Sequence, residues 1–191
     1  MILRGNGFEV RTGNISPLLD DAEFLRALGR LPAQWRGAVL RYGPPRRRAQ
    51  SLMCRCLLLE ALAERGTEPP DILFSPEGKP YFQEGAPDFS LSHSGDLAAA
   101  AISERGRIGI DIERMRTVDS RILKREFSAA ERERVCDAAD GAAEIMRIWT
   151  GKECVLKARG AGKLSEIETG KLDICCLEIE AEYILSVFCA D

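Results

Sequence analysis

Ile108-Gly109-Ile110-Asp111-Ile112-Glu113 alternates without a break. Isoleucines hold the even positions; a glycine and two carboxylates hold the odd ones. In an extended chain successive side chains point to opposite faces. One face therefore buries three β-branched residues, and the other sets Asp111 beside Glu113. Like charges at neighbouring same-face positions repel, and a cation between them would remove that cost. Gly109, on the same face, lets another group approach closely. Alone, this strand is more simply an acidic outer face. Its period of two nonetheless marks the region as sheet, and the rest of the chain can be read outward from it.

Upstream, residues 98–103 and 88–93 are predicted strands, with tight connections at Ser94-Gly95-Asp96 and Glu104-Arg105-Gly106. A short strand at 72–74 leads into a turn at Ser75-Pro76-Glu77-Gly78, and Tyr81-Phe82 begins the next extended piece. Residues 47–64 read as a long helix whose seam is Leu52, Cys56, Leu59 and Ala63, ended by Gly66. A helix over 32–42 is broken by Gly43-Pro44-Pro45. Another covers 20–29, with Phe24, Leu25 and Leu28 as its apolar stripe. Residues 2–10 read as one strand. Downstream, Ser128 with Glu131 is a capping-box signature that opens a helix over 128–138. A second helix runs over 142–158, and 171–189 is a hairpin turning near Glu180. Each half thus places a long helix near a small antiparallel sheet. The prediction is an α+β chain of two similar subdomains, 1–96 and 97–191.

Totals narrow the function classes. The chain has 191 residues, of which 45% are hydrophobic and 30% charged, with a formal net charge of −3. No global basic field argues for nucleic acid. Two local basic stretches stand out: Arg46-Arg47-Arg48, and the segment holding Arg114, Arg116, Arg121, Lys124 and Arg125. Either alone is most simply a solvated face. Seven cysteines in no regular framework argue against a disulfide scaffold and fit buried free thiols in a reducing cytoplasm. Met1 to Val10 lacks the pattern of a signal peptide, and no apolar run reaches membrane-spanning length.

Chemistry gathers in three further stretches. In Trp149-Thr150-Gly151-Lys152-Glu153-Cys154-Val155-Leu156-Lys157, residues 149, 153 and 157 share one helical face. Glu153 could simply pair with Lys157, worth about 0.2–0.5 kcal/mol in an isolated helix. Separate acids on a strand and on a helix also match a magnesium site, because magnesium takes few protein carboxylates and completes its shell with phosphate and water. Lys152 and Lys157 would suit the phosphate. Lys79 precedes Pro80, which disfavours a helical Lys79 and projects it from an extended segment. Ser90-Leu91-Ser92-His93-Ser94-Gly95 holds the only histidine of the chain, at a strand end beside hydroxyls. A core histidine in phase with Phe89 and Leu91 is one reading. An exposed imidazole donating to an anion is the other.

Together these stretches resemble the surfactin-type 4′-phosphopantetheinyl transferases of the holo-carrier-protein synthase superfamily. The matching pieces are Gly78-Lys79-Pro80-Tyr81, Phe89 to Gly95, Ile108 to Glu113, Phe127-Ser128 with Glu131, and Trp149 to Glu153 with Lys157. Their order and spacing fit from about Arg47 to Gly162. The resemblance implies a monomer of two pseudo-symmetric halves with the active site in the cleft between them. It implies coenzyme A as donor, magnesium as cofactor with manganese able to replace it, and a serine of an apo acyl or peptidyl carrier protein as acceptor. The carrier would serve fatty-acid, polyketide or non-ribosomal peptide biosynthesis. Asp111, Glu113 and Glu153 would hold the metal, with Glu153 the general base for the carrier serine. Lys157 would neutralise the pyrophosphate. Lys79, Ser92, His93 and Ser51 would contact the nucleotide end of coenzyme A. The basic segment from Arg114 to Arg125 would face the carrier's acidic helix. The chain departs from the pattern in two places. No basic residue among Gln34, Arg36 and Arg41 aligns with the family's nucleotide-phosphate grip, and Gly160-Ala161-Gly162 is followed by Lys163, with Leu164 one place late. A magnesium-dependent phosphohydrolase and a non-catalytic coenzyme A-binding module are the alternatives.

Overall fold

The computed structural model describes residues 1–5, 7–76 and 78–190. Its strands are β1 (Ile2–Gly5), β2 (Phe8–Asn14), β3 (Leu73–Phe74), β4 (Pro80–Tyr81), β5 (Asp88–Ser94), β6 (Leu97–Ser103), β7 (Ile108–Arg114), β8 (Cys175–Ile179) and β9 (Tyr183–Cys189). Its helices are α1 (Asp21–Arg30), α2 (Ala33–Leu40), α3 (Pro45–Glu64), α4 (Ser120–Glu126), α5 (Ala129–Asp137) and α6 (Gly141–Arg159). The class is α+β, as expected. Strands β1-β2-β6-β5 form one antiparallel sheet, β7-β9-β8 a second, and β3-β4 a small ribbon.

Helix α3 covers the first sheet, packing Leu52, Leu58 and Leu62 on Phe89, Ala98, Ala100 and Ile102. Helix α6 covers the second, with Cys154 and Val155 in a core shared with Ile167 and Phe188. Between the sheets lies a third core. There β6 offers the odd-numbered Leu97, Ala99 and Ala101, while β7 offers Ile108, Ile110 and Ile112, all buried. The isoleucine face read from the sequence is therefore the face that joins the two sheets. Small alanines on β6 leave room for the branched side chains opposite.

Several expectations need correction. Residues 2–10 are two strands, β1 and β2, because the chain reverses between Gly5 and Phe8; Asn6 lies outside the described residues. The expected turn at Ser75-Pro76-Glu77-Gly78 includes Glu77, also outside them, but the Gly78 N–H donates to the Ser75 carbonyl at 2.8 Å. The seam of α3 is rotated. Ala63 is exposed and Cys56 and Leu59 are half-buried, whereas Ala61 and Leu62 are buried. In α1, Leu25 is 65% exposed, since Phe24, Ala27 and Leu28 already fill the face toward the core. The basic segment contains the unforeseen helix α4, whose start is capped by the Asp119 side chain. All seven cysteines are free, yet only Cys54 and Cys154 are buried; Cys136 and Cys175 are exposed. No helix among the described residues is long and apolar enough to cross a membrane.

The edges of the two sheets meet along β5 and β7. Neighbouring β9 takes one set of β7 amides, and the other set points outward from the sheet edge. Side-chain oxygens of β5 accept that outward set at every second residue. Asp88 accepts from Ile108 N–H (2.8 Å), Ser90 from Ile110 (3.1 Å), Ser92 from Ile112 (3.2 Å) and Ser94 from Arg114 (3.1 Å). The constant offset of twenty residues means that the strands run parallel. Buried amides need partners, and here hydroxyls and one carboxylate supply them where a carbonyl ladder would normally stand.

Candidate active site

The site is built where this seam meets the two long helices. Strand β7 turns Gly109, Asp111 and Glu113 toward α6, which answers with Trp149, Glu153 and Lys157. Gly109 makes the approach possible. A Cβ there would stand 1.8 Å from the Cys154 carbonyl oxygen and 2.6 Å from the Ala158 nitrogen, so no side chain fits. The backbone of α6 consequently rests on the strand itself, one residue from Glu153.

A cavity of about 400 Å³ opens beside them. Asp111, Glu113, Trp149, Glu153 and Lys157 line it, together with Arg41, Ser51, Arg55, Phe74 and His93. Asp111 is buried. Its Oδ1 accepts from Ser92 Oγ (2.8 Å) and from Lys157 Nζ (2.7 Å), while its Oδ2 is buried without any hydrogen-bond donor. Lys157 also donates to Ser92 Oγ at 3.1 Å. Glu113 Oε2 accepts from Ser94 Oγ at 2.6 Å. Burial holds the Glu153 carboxyl above its ordinary pKa, and the nearby Asp111 and Glu113 push it further up, against the opposing pull of Lys157. Three acids thus share one cavity with one ammonium, and one carboxylate oxygen lacks a partner. A divalent cation fits that chemistry: it would neutralise the clustered charge and give Oδ2 a partner. Among the described residues no group of three or more His, Cys, Asp or Glu side chains is placed to hold a metal ion, so as they stand the three acids do not by themselves make a metal site.

The remaining expected residues divide. Ser51 and His93 line the cavity. His93 is half-buried, not exposed, and burial together with Arg47 and Lys157 holds its imidazole below the ordinary value. Ser92 lines the cavity too, bonded to Asp111 and Lys157. Lys79 aims elsewhere. Its Nζ donates to the Ala158 carbonyl at the end of α6 (3.2 Å) and lies 3.8 Å from Asp88, where the helix dipole favours a cation. It lines a second cavity of about 500 Å³, with Phe89, Leu91, Leu156 and the 160–162 loop. That cavity shares Gly78, Pro80, Leu91 and Lys157 with the first. Lys152 is the clear correction. It is fully buried, pairs with Glu131 at 2.9 Å and donates to the carbonyls of Leu164 and Ile167. Glu131 also accepts from Thr169. The lysine binds α5 and the 164–171 segment to α6, and it cannot meet a phosphate. Arg36 likewise donates to the Leu31 and Gly29 carbonyls, outside the cavity.

Arg55 escaped the sequence reading. It is 5% exposed and hydrogen-bonds Ser51, but its Nε has no partner and no carboxylate among the described residues pairs with it. Arg41 stands beside it at the cavity, its guanidinium over the rings of Tyr42 (5.1 Å) and Phe74 (5.2 Å). The only signal was the four-residue step from Ser51 to Arg55, which looks like any helical face.

The 4′-phosphopantetheinyl transferase superfamily model matches residues 107–185, the stretch that carries β7 and α6. The chain belongs to this superfamily. It is 40% identical over 119 residues to the 4′-phosphopantetheinyl transferase AcpT of Salmonella typhimurium, covering 60% of each chain. It is 34% identical over 187 residues to the L-aminoadipate-semialdehyde dehydrogenase-phosphopantetheinyl transferase of Eremothecium gossypii, covering 88% of this chain and 66% of that one. It is 35% identical over 96 residues to the 4′-phosphopantetheinyl transferase psf-1 of Bacillus pumilus, covering 48% and 41%. The chain thus matches about 60% of the length of AcpT.

Proposed function

We propose that this superfamily member transfers the 4′-phosphopantetheine group of coenzyme A to a serine hydroxyl of an apo acyl or peptidyl carrier protein. The observation that carries the reading is the meeting of Asp111, Glu113, Glu153 and Lys157 in one cavity that is also lined by Arg55, an arginine with no carboxylate partner among the described residues. Acids beside a metal-seeking oxygen suit a pyrophosphate bridged by a cation, and the arginine side suits the nucleotide phosphate. The neighbouring 500 Å³ cavity, with its largely apolar walls, suits the pantetheine arm.

In this reading the carrier hydroxyl attacks the β-phosphorus, a new O–P bond forms, and the bond to the α-phosphate oxygen breaks to release adenosine 3′,5′-bisphosphate. Glu153, kept basic enough by its neighbours yet beside the reacting oxygen, takes the serine proton; such a base contributes roughly 10²–10⁴-fold. Lys157, fixed by Asp111 and Ser92, offsets charge that builds on the pyrophosphate. Magnesium, or manganese in its place, would be held by Asp111, Glu113 and Glu153 and would act as a Lewis acid on the phosphate oxygens. Carrier docking is assigned to the exposed basic segment around α4, where opposite charge would raise the on-rate. The two-subdomain organisation belongs to this reading too, with a monomer as the working unit in the cytoplasm. The pairing of Leu97–Ser103 with β2 and β5 supports drawing its division at the 104–107 turn.

The test is incubation with coenzyme A, magnesium and a panel of apo carriers, followed by mass spectrometry of the carriers. Gain of a phosphopantetheine mass on serine supports transfer. Release of free phosphopantetheine without carrier modification would point to a phosphohydrolase, and magnesium-dependent coenzyme A binding with no product would point to a binding module.

A further inference from the structure

The hydrogen bonds along the β5–β7 seam are not all equivalent. A serine hydroxyl has one proton to give and two lone pairs. Ser92 accepts from the Ile112 amide and from Lys157, which fills both lone pairs. Its proton therefore goes to Asp111 Oδ1. Ser94 accepts from the Arg114 amide, and its proton goes to Glu113 Oε2 at 2.6 Å. Lower in the seam, Ser90 accepts from the Ile110 amide but faces no carboxylate of the cavity. One ladder thus has a purely joining rung and two rungs that also grip an acid.

We propose that Ser94, with Ser92, is a positioning residue for divalent-cation binding: the same hydroxyls that join the sheets fix the carboxylates in the orientation that presents their remaining oxygens to the ion. This rests on the reading of the carboxylate cluster as a cation site. Asp111 shows the consequence most directly. With Oδ1 saturated by Ser92 and Lys157, only Oδ2 is left without a donor. For Glu113, on the half-exposed rim, Ser94 is what selects one rotamer out of several. Outer partners that orient a metal's ligands typically change affinity by about 10–100-fold when removed.

The experiment titrates manganese into the metal-free protein and follows bound ion by electron paramagnetic resonance, for the native chain, Ser94→Ala, Ser94→Thr and Ser90→Ala. The expected result is a manganese affinity about tenfold weaker in Ser94→Ala, restored in Ser94→Thr, which keeps the hydroxyl. Ser90→Ala should lose thermal stability through an orphaned Ile110 amide while binding manganese as the native chain does. In turnover, Ser94→Ala should show a raised manganese requirement with near-native kcat at saturating ion. Equal affinity in Ser94→Ala and native protein overturns the proposal, as does equal weakening in Ser90→Ala, which would mark the seam as structural only. A native chain that binds no manganese overturns the cation reading itself, and the proposal with it. Should Ser94→Ala fail to fold, Ser94→Cys keeps the volume with a weak donor and is expected to weaken binding in the same direction.

Discussion

Each long helix buries one cation, and the two are treated in opposite ways. On α6, Lys152 is fully buried and surrounded by partners: Glu131 and the carbonyls of Leu164 and Ile167. On α3, Arg55 is nearly as buried, hydrogen-bonds Ser51 and no carboxylate among the described residues, and keeps an orphaned Nε at the cavity. A buried charge is costly unless paired. Where the pairing is complete inside the protein, the cation serves the fold. Where it is incomplete and a cavity adjoins, the cation is prepared for an anion that comes and goes. The lysine next to Glu153 in sequence is thus architectural, and the arginine on the other helix is the one that meets no carboxylate among the described residues.

The largest expected effect lies at Glu153. Glu153→Gln should abolish transfer, measured as carrier modification, while the protein stays folded. Its pH behaviour follows from the raised carboxyl. Between the ordinary value near 4.5 and the raised one, the folded chain binds more protons than the unfolded chain. Stability is therefore full below that window and lost as pH rises through it. Without metal, the glutamine variant should melt higher than the native chain at neutral pH and level with it in acid. Normal turnover by this variant would remove both roles assigned to Glu153.

Lys152→Met comes next. It strands Glu131 in the interior, and breaking a buried pair costs about 3–5 kcal/mol. Chemical denaturation should show that loss, and the double change Lys152→Met with Glu131→Leu should recover much of it. Arg55→Met should behave in the opposite way. It strands no acid, so stability should hold or rise, while coenzyme A binding by calorimetry weakens by about 10–100-fold, the worth of a hydrogen bond to a charged group. A destabilised Arg55→Met with unchanged coenzyme A affinity would dissolve the contrast between the two helices. The smallest effect concerns the exposed surface. Lys124→Glu with Arg125→Glu should raise the KM for carrier at low salt and leave coenzyme A binding alone, and added salt should narrow the difference.

What the sequence showed best was periodic. The β7 alternation, the Ser128–Glu131 capping box and the 149-153-157 face are local patterns, and each stands where local rules put it. What it hid was set by contacts between distant segments. Nothing near Lys152 announces Glu131, twenty-one residues away, so its burial was invisible. The seam of α3 slipped because a leucine-rich helix offers several apolar faces, and only the sheet beneath selects one. Residues 2–10 were read as one strand although Asn6-Gly7 is a strong hairpin signal. The run of Asp88, Ser90, Ser92 and Ser94 also carried a visible period of two, but its serines were read for anion binding beside His93 rather than as side chains standing in for a missing strand.

Gly109 has a consequence for how such a site can change. Because α6 is seated on the main chain of β7, with a carbonyl oxygen where a methyl group would go, the interval between Asp111 and Glu153 is a property of the backbone. Mutational drift can reshape the cavity walls or the exposed surface around them. The seating of α6 on β7 works as a fixed gauge through all of it, and the rest of the cavity can diversify around a contact whose dimensions stay the same.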